Sequence, residues 1–162
     1  MVASALNLNE KCCFDFGNAE TNNLDNKAGQ MDAINIMGHS NPCSPEAGLD
    51  MEDGIYGHLK VPGGTTFVTD IGTSDGQHTY AIYRGNAQSG TLTTTGTIPL
   101  PSGYQPMRQE GAIILGIGSD NSNWAKDYFF EGVMTRGMPN TQAMEAVQSN
   151  IVAARYAGQL KP

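Results

Sequence analysis

The sequence predicts an all-β fold, an antiparallel β-sandwich with one helix at its C-terminal end. Three observations carry that expectation. Short runs rich in Thr, Val, Ile and Tyr recur through the middle of the chain, and such side chains suit a pleated, half-buried surface. Turn clusters of Gly, Pro, Ser and Asp separate the runs, because those residues supply the bends that strands cannot. The apolar spacing becomes helical only near the end.

Taken in order, the strand runs are Thr65 to Thr69, Thr79 to Arg84, Ser89 to Thr95, Gly111 to Ile117 and Tyr128 to Thr135. Pro62-Gly63-Gly64, Ser74-Asp75-Gly76 and Pro101-Ser102-Gly103 provide the turns. Met144, Val147, Ile151 and Ala154 then fall on one helical face, with Asn140 as the expected N-cap and Gly158 as the expected stop. Residues 1–10 read as a lead-in, 11–157 as one domain, and 158–162 as a tail or the start of a linker.

A chain of 162 residues has enough apolar content for one sizeable core. Its net charge of −7 repels phosphate backbones and anionic lipid, which argues against nucleic acid or a membrane surface as partner. No apolar run approaches the length of a membrane span. The first seven residues carry neither a basic nor an apolar signal region. His39, His58 and His78 are dispersed and the cysteines lack a Cys-x-x-Cys spacing, so no metal or redox centre is expected.

The adjacent pair Cys12 and Cys13 is the least ordinary feature. A bond between them closes too small a loop to constrain the unfolded chain much, so such a bond suggests a rigid apolar surface rather than a staple. Two reduced thiols, or two separate bridges, remain open on the residues alone. If Cys12 and Cys13 pair with each other, Cys43 is left over.

Carboxylates supply the other candidates. On an extended backbone Asp50 and Glu52 point to one face, and paired carboxylates raise the cost of ionising each other, as acid–base or nucleophilic work on a sugar requires. An exposed acidic turn ending in Asp53-Gly54 is the competing reading. Asp120 follows the apolar run Gly111 to Ile117 in a loop of small residues, Gly118-Ser119-Asp120-Asn121. Gly116-x-Gly118 lacks the third glycine of a dinucleotide fingerprint, since Asn121 stands there, and Ser119-Asp120-Asn121 has no Ser-x-x-Lys to accompany it. Trp124 could stack on a sugar ring or pack in a core, and Glu131 is a reserve carboxylate.

Three blocks together carry a resemblance: Cys12-Cys13-Phe14-Asp15-Phe16-Gly17-Asn18-Ala19-Glu20-Thr21-Asn22, Glu110 to Asn123, and Asn150-Ile151-Val152-Ala153-Ala154-Arg155-Tyr156. In sequence and order they resemble the catalytic domain of fungal-type α-L-arabinofuranosidases B, glycoside hydrolase family 54. Weaker likeness around Asp50 to Gly54, Arg84 to Gly90 and Phe130 to Thr135 lies between them. The stretch Gly38 to Pro45 has no tryptophan where that family places one before its nucleophile.

The resemblance implies a concanavalin-like jelly-roll β-sandwich, incomplete because the likeness covers the C-terminal part of such a domain, and strands left uncovered are expected to favour self-association. It further implies a secreted retaining enzyme, without a cofactor, that releases terminal arabinofuranosyl groups from arabinoxylan or arabinan. By position, Glu52 matches the nucleophile and Asp120 the general acid/base. Asp50 matches a sugar-binding carboxylate, Asp53 replaces an asparagine beside the nucleophile, and Gly118 and Ser119 lie in the loop presenting the acid. Cys12 with Cys13 matches a vicinal disulfide against the sugar. The alternatives are a non-catalytic carbohydrate-binding sandwich, an inactive fragment, and a thiol redox protein.

Overall fold

The computed structural model describes residues 1–6, 8, 13–19, 31–37, 45–52, 54–104, 112–116 and 125–157. Among these residues eleven strands and one helix follow in order: β1 Val2–Ser4, β2 Phe14–Ala19, β3 Asp32–Met37, β4 Glu46–Asp50, β5 Ile55–Lys60, β6 Phe67–Ser74, β7 Thr79–Asn86, β8 Ser89–Thr94, β9 Ile98–Pro99, β10 Ala112–Leu115, β11 Phe129–Glu131 and α1 Thr141–Ala153.

They form two antiparallel sheets. One runs β11-β1-β6-β7-β8, with β9 also pairing β7, and the other runs β10-β2-β3-β4-β5. Alternation along each strand decides which side chains enter the space between the sheets. Phe14, Ile36 and Val68 are buried in one cluster with Phe16, Ile34 and Phe129 against it. Leu49, Tyr80 and Ile82 form a second. Gly72 of β6 lets the sheets approach: a Cβ there would stand 2.8 Å from Ile34 Cγ2 and 2.9 Å from Leu49 Cδ1. The expected all-β sandwich with a C-terminal helix is the architecture found.

Within the stretch 1–10, read as a lead-in, Val2–Ser4 form β1 between β11 and β6. Val2 and Ala3 are fully buried there. A three-residue apolar strand has too little alternation to stand out in the sequence.

The helix begins where its cap indicates. Asn140 is the N-cap and its side-chain oxygen accepts the Ala143 N–H at 2.8 Å. It ends at Ala154 rather than near Gly158. Gln148, 1% exposed, donates its amide to the Asn86 carbonyl at 2.8 Å. A Cβ on Gly85 would lie 2.8 Å from Gln148 Oε1, so the bare glycine is what admits the amide. The helix therefore lies on the outer side of β7, opposite the face carrying Ile82.

The turn between β6 and β7 is held by one carboxylate. Asp75 Oδ1 accepts the N–H groups of Gln77, His78 and Thr79 at 2.9, 2.6 and 2.9 Å. Donation from His78 and then Thr79 holds the Asp75 carboxyl well below its ordinary value of 3.8. Its contribution is thus present above pH 3.8 and lost as pH falls through the lower folded value. Because the site is exposed, Asp75→Ala is expected to cost only about 1 kcal/mol at neutral pH. Urea unfolding at pH 7 and pH 2 checks this; the difference between the variant and the parent should shrink at the lower pH.

Candidate functional site

The chemistry gathers on the face of the β10-β2-β3-β4-β5 sheet turned away from the core. Phe14 and Phe16 pack inward from β2, so the intervening Asp15 faces outward. Ile34 and Ile36 do the same for Asn35 on β3, and Leu49 does so for Asp50 on β4. Asp15 and Asn35 are register partners, and the Asn35 amide donates to an Asp15 carboxylate oxygen. Asp15 and Asn35 are fully buried and Asp50 nearly so.

Cys13 stands immediately before β2 and joins this group. Its sulfur and one carboxylate oxygen each from Asp15 and Asp50 all lie within 4.8 Å of one another. Cys13 is disulfide-bonded, so that sulfur is no thiolate ligand, and the set offers a cation two carboxylates only. Its partner lies outside the described residues. An apolar sulfur beside two acidic groups suits a ligand with both a carbon face and hydroxyl groups.

Glu52 is tied to Asp50 through its backbone, in a way that extended-strand reasoning did not anticipate. Strand β4 ends at Asp50, and Glu52 sits in the turn to β5 with φ of 85°. Its N–H donates to Asp50 Oδ1 at 2.9 Å, while Met51 N–H reaches the Gly54 carbonyl at 3.0 Å. Asp50 and Glu52 therefore meet through a turn locked by the first carboxylate, not as alternate residues of one strand. A long side chain in the left-handed region costs roughly 1–2 kcal/mol. Nor is this an exposed acidic turn, since Asp50 is 7% and Glu52 9% exposed. Retaining a buried glutamate in a strained position points to use of its carboxyl.

The other expected site residues, Cys12, Asp53, Gly118, Ser119 and Asp120, lie outside the described residues, as do Cys43 and Trp124. Glu131 is described, and it belongs to the other sheet. There it accepts the Tyr156 hydroxyl at 2.6 Å, so its role is to latch the chain after α1. Sequence reasoning missed Asp15 and Asn35. The signal was a polar residue between apolar neighbours in Phe14-Asp15-Phe16 and Ile34-Asn35-Ile36, which places a polar group on the face opposite a core.

A cavity of about 1480 Å³ lies elsewhere, lined by Phe16, Ile34, Gly72, Met134, Met144 and Val147 among others. Its described lining includes neither Asp50 nor Glu52. The acidic cluster, with its convergent buried groups, is the better candidate for chemistry.

Comparison with known proteins identifies the family. The family model described as alpha-L-arabinofuranosidase B, catalytic, matches residues 1–157. An alpha-L-arabinofuranosidase of Hypocrea jecorina is 45% identical over 96% of this chain and 34% of its own length. The alpha-L-arabinofuranosidase B of Aspergillus niger is 44% identical over the same shares. Among solved structures, an arabinofuranosidase complexed with arabinofuranosyl-alpha-1,2-xylobiose superposes with a TM-score of 0.84 at 40% identity, covering 96% of this chain and 35% of that one. A Glu-to-Gln mutant of a family 54 enzyme, soaked with 4-nitrophenyl α-L-arabinofuranoside, gives a TM-score of 0.84 at 39% identity over the same shares. The chain spans about a third of the length of these relatives.

Proposed function

Because the chain belongs to the catalytic family of alpha-L-arabinofuranosidase B, we propose that it is a glycoside hydrolase acting on terminal α-L-arabinofuranosyl groups with retention of configuration. The observation that carries this reading is the buried Glu52, held in a left-handed turn by its N–H bond to Asp50. Strain of that kind persists where the surrounding structure and a function hold it.

In this mechanism the Glu52 carboxylate attacks the anomeric carbon as the bond to the leaving oxygen breaks, and Asp120 delivers a proton to that oxygen. A covalent arabinosyl ester on Glu52 results. Asp120, now ionised, takes a proton from water whose oxygen displaces Glu52 from the anomeric carbon. Such a pair works at a carboxyl separation of about 5–5.5 Å. Asp50 accepts sugar hydroxyl groups and aligns the Glu52 turn. Cys12 bonded to Cys13 forms an apolar floor, while Asp53, Gly118 and Ser119 border the sugar. No cofactor enters the scheme.

Arabinoxylan or arabinan is the proposed source of the arabinofuranosyl group, supported by the arabinofuranosyl-xylobiose held by one neighbour. An oxidising, extracellular setting suits the bonded Cys13. The deciding experiment is proton NMR of the sugar released from 4-nitrophenyl α-L-arabinofuranoside. First appearance of the α-anomer supports the proposal; first appearance of the β-anomer, or binding without turnover, overturns it.

A further inference from the structure

The geometry points to Asp32 as a positioning residue for the sugar site, fixed by Tyr104 and acting on Asp50 through the pairing of β3 with β4. This rests on the reading of Asp50 as a sugar-binding carboxylate. Asp32 opens β3, and the next residue, Ala33, is the register partner of Asp50. Alternation turns Asp32 to the same side as Ile34, the core side, while Asp50 faces the cleft. The two carboxyls are thus one residue apart in register and on opposite sides of one sheet.

Among the described residues, the Asp32 carboxyl is held from one side only. Tyr104, in the turn after β9, donates its hydroxyl to Asp32 Oδ2 at 2.8 Å. Asp32 Oδ1 is buried and has no hydrogen-bond partner among the described residues. A neutral carboxyl tolerates that arrangement, whereas an ionised one leaves a desolvated charge with an empty acceptor position.

The surrounding groups favour the neutral form at mild acidity. Burial pushes the Asp32 carboxyl up to about 7 and the Asp50 charge adds to the rise, against an opposing pull from the Tyr104 bond. Burial and then Asp32 push the Tyr104 hydroxyl far above its usual range, so it remains a donor; Ser74 bonds to it and Asp75 adds negative charge nearby. On β2 the register partner of Asp32 is the neutral Asn18.

Ionisation of Asp32 above pH 7 then favours its departure toward water. That movement pulls on the start of β3 where Ala33 holds β4 in register, and Asp50 shifts with it. The expected kinetic mark is a rise in KM for an arabinofuranoside above pH 7, with kcat changing less.

Carbon-13 NMR titration of the aspartate carboxyls tests the coupling without relying on turnover. Asp50→Asn should lower the Asp32 midpoint by about one pH unit, a tenfold change in proton affinity. Tyr104→Phe should raise it by removing a donor to the carboxylate. Where the parent chain hydrolyses 4-nitrophenyl α-L-arabinofuranoside, Asp32→Asn should abolish the rise in KM between pH 7 and 8.5 while retaining the KM seen at pH 6. An Asp32 midpoint unmoved by Asp50→Asn, or a KM rise that survives Asp32→Asn, overturns the assignment. A parent chain without turnover instead sinks the proposed function, and the two midpoints still decide whether Asp32 and Asp50 are coupled.

Discussion

Glu52→Gln is expected to reduce turnover of 4-nitrophenyl α-L-arabinofuranoside by on the order of 10⁴-fold, the scale seen when one member of a catalytic group is removed. The amide keeps the size of the side chain but cannot form the ester to the anomeric carbon. The local fold should survive, because the bond joining this turn to Asp50 comes from the Glu52 backbone N–H. Glu52→Gly separates chemistry from strain. Glycine accepts a φ of 85° without the side-chain penalty, so this variant should lose turnover yet match or exceed the parent in stability by about 1 kcal/mol. Initial rates and urea unfolding read the two effects independently. A Gln variant within tenfold of the parent would remove Glu52 from the nucleophile's role.

Phe67→Ala is expected to cost roughly 3–5 kcal/mol, the range for truncating a buried aromatic. Phe67 is 2% exposed, and its ring lies 5.1 Å from that of Phe130 and 5.3 Å from that of Tyr156. One side chain thereby joins β6, β11 and the segment after α1. The same segment is tied by the Tyr156 hydroxyl to Glu131 and by the Gln88 side chain to the Tyr156 carbonyl at 2.9 Å. At a melting shift of about 2–4 °C per kcal/mol for a chain of this size, the midpoint should drop by roughly 10 °C. Calorimetry reads this directly; a loss below about 1 kcal/mol would show that the aromatic cluster contributes little beyond filling space.

Legibility followed the chemistry of each segment. β7 and β8 were readable because the expected runs Thr79 to Arg84 and Ser89 to Thr95 combine strand-favouring side chains with clear turns. The helix start was readable because Asn140 is a physical cap and not merely a boundary. The run from Tyr128 to Thr135 yielded only Phe129–Glu131 as strand. There Gly132 stands where a Cβ would come within 2.6 Å of the Phe16 ring.

The cleft sheet was harder to read for the reason that makes it useful. Asp15, Asn35, Gly48 and Asp50 interrupt the apolar pattern of β2, β3 and β4 because both faces of those strands are buried, one against the core and one around polar groups. Of the candidate site, Cys13, Asp50 and Glu52 were legible through the Cys12-Cys13 block and Asp50-Met51-Glu52, whereas Asp15 and Asn35 were not. The turn that joins Asp50 to Glu52 was not, since a positive φ at glutamate leaves no mark in composition or spacing.

The central place of β1 sets a timetable for assembly on the ribosome. Val2–Ser4 are made before both of their neighbours, Phe67–Thr69 on one side and Phe129–Glu131 on the other. At about 5–20 residues per second of synthesis, roughly 3–13 s pass before the first neighbour exists and roughly 6–25 s before the second. Throughout that interval an apolar segment with free backbone groups is open to any passing strand, so the yield of native chain should depend on translation speed and on early shielding of those few residues.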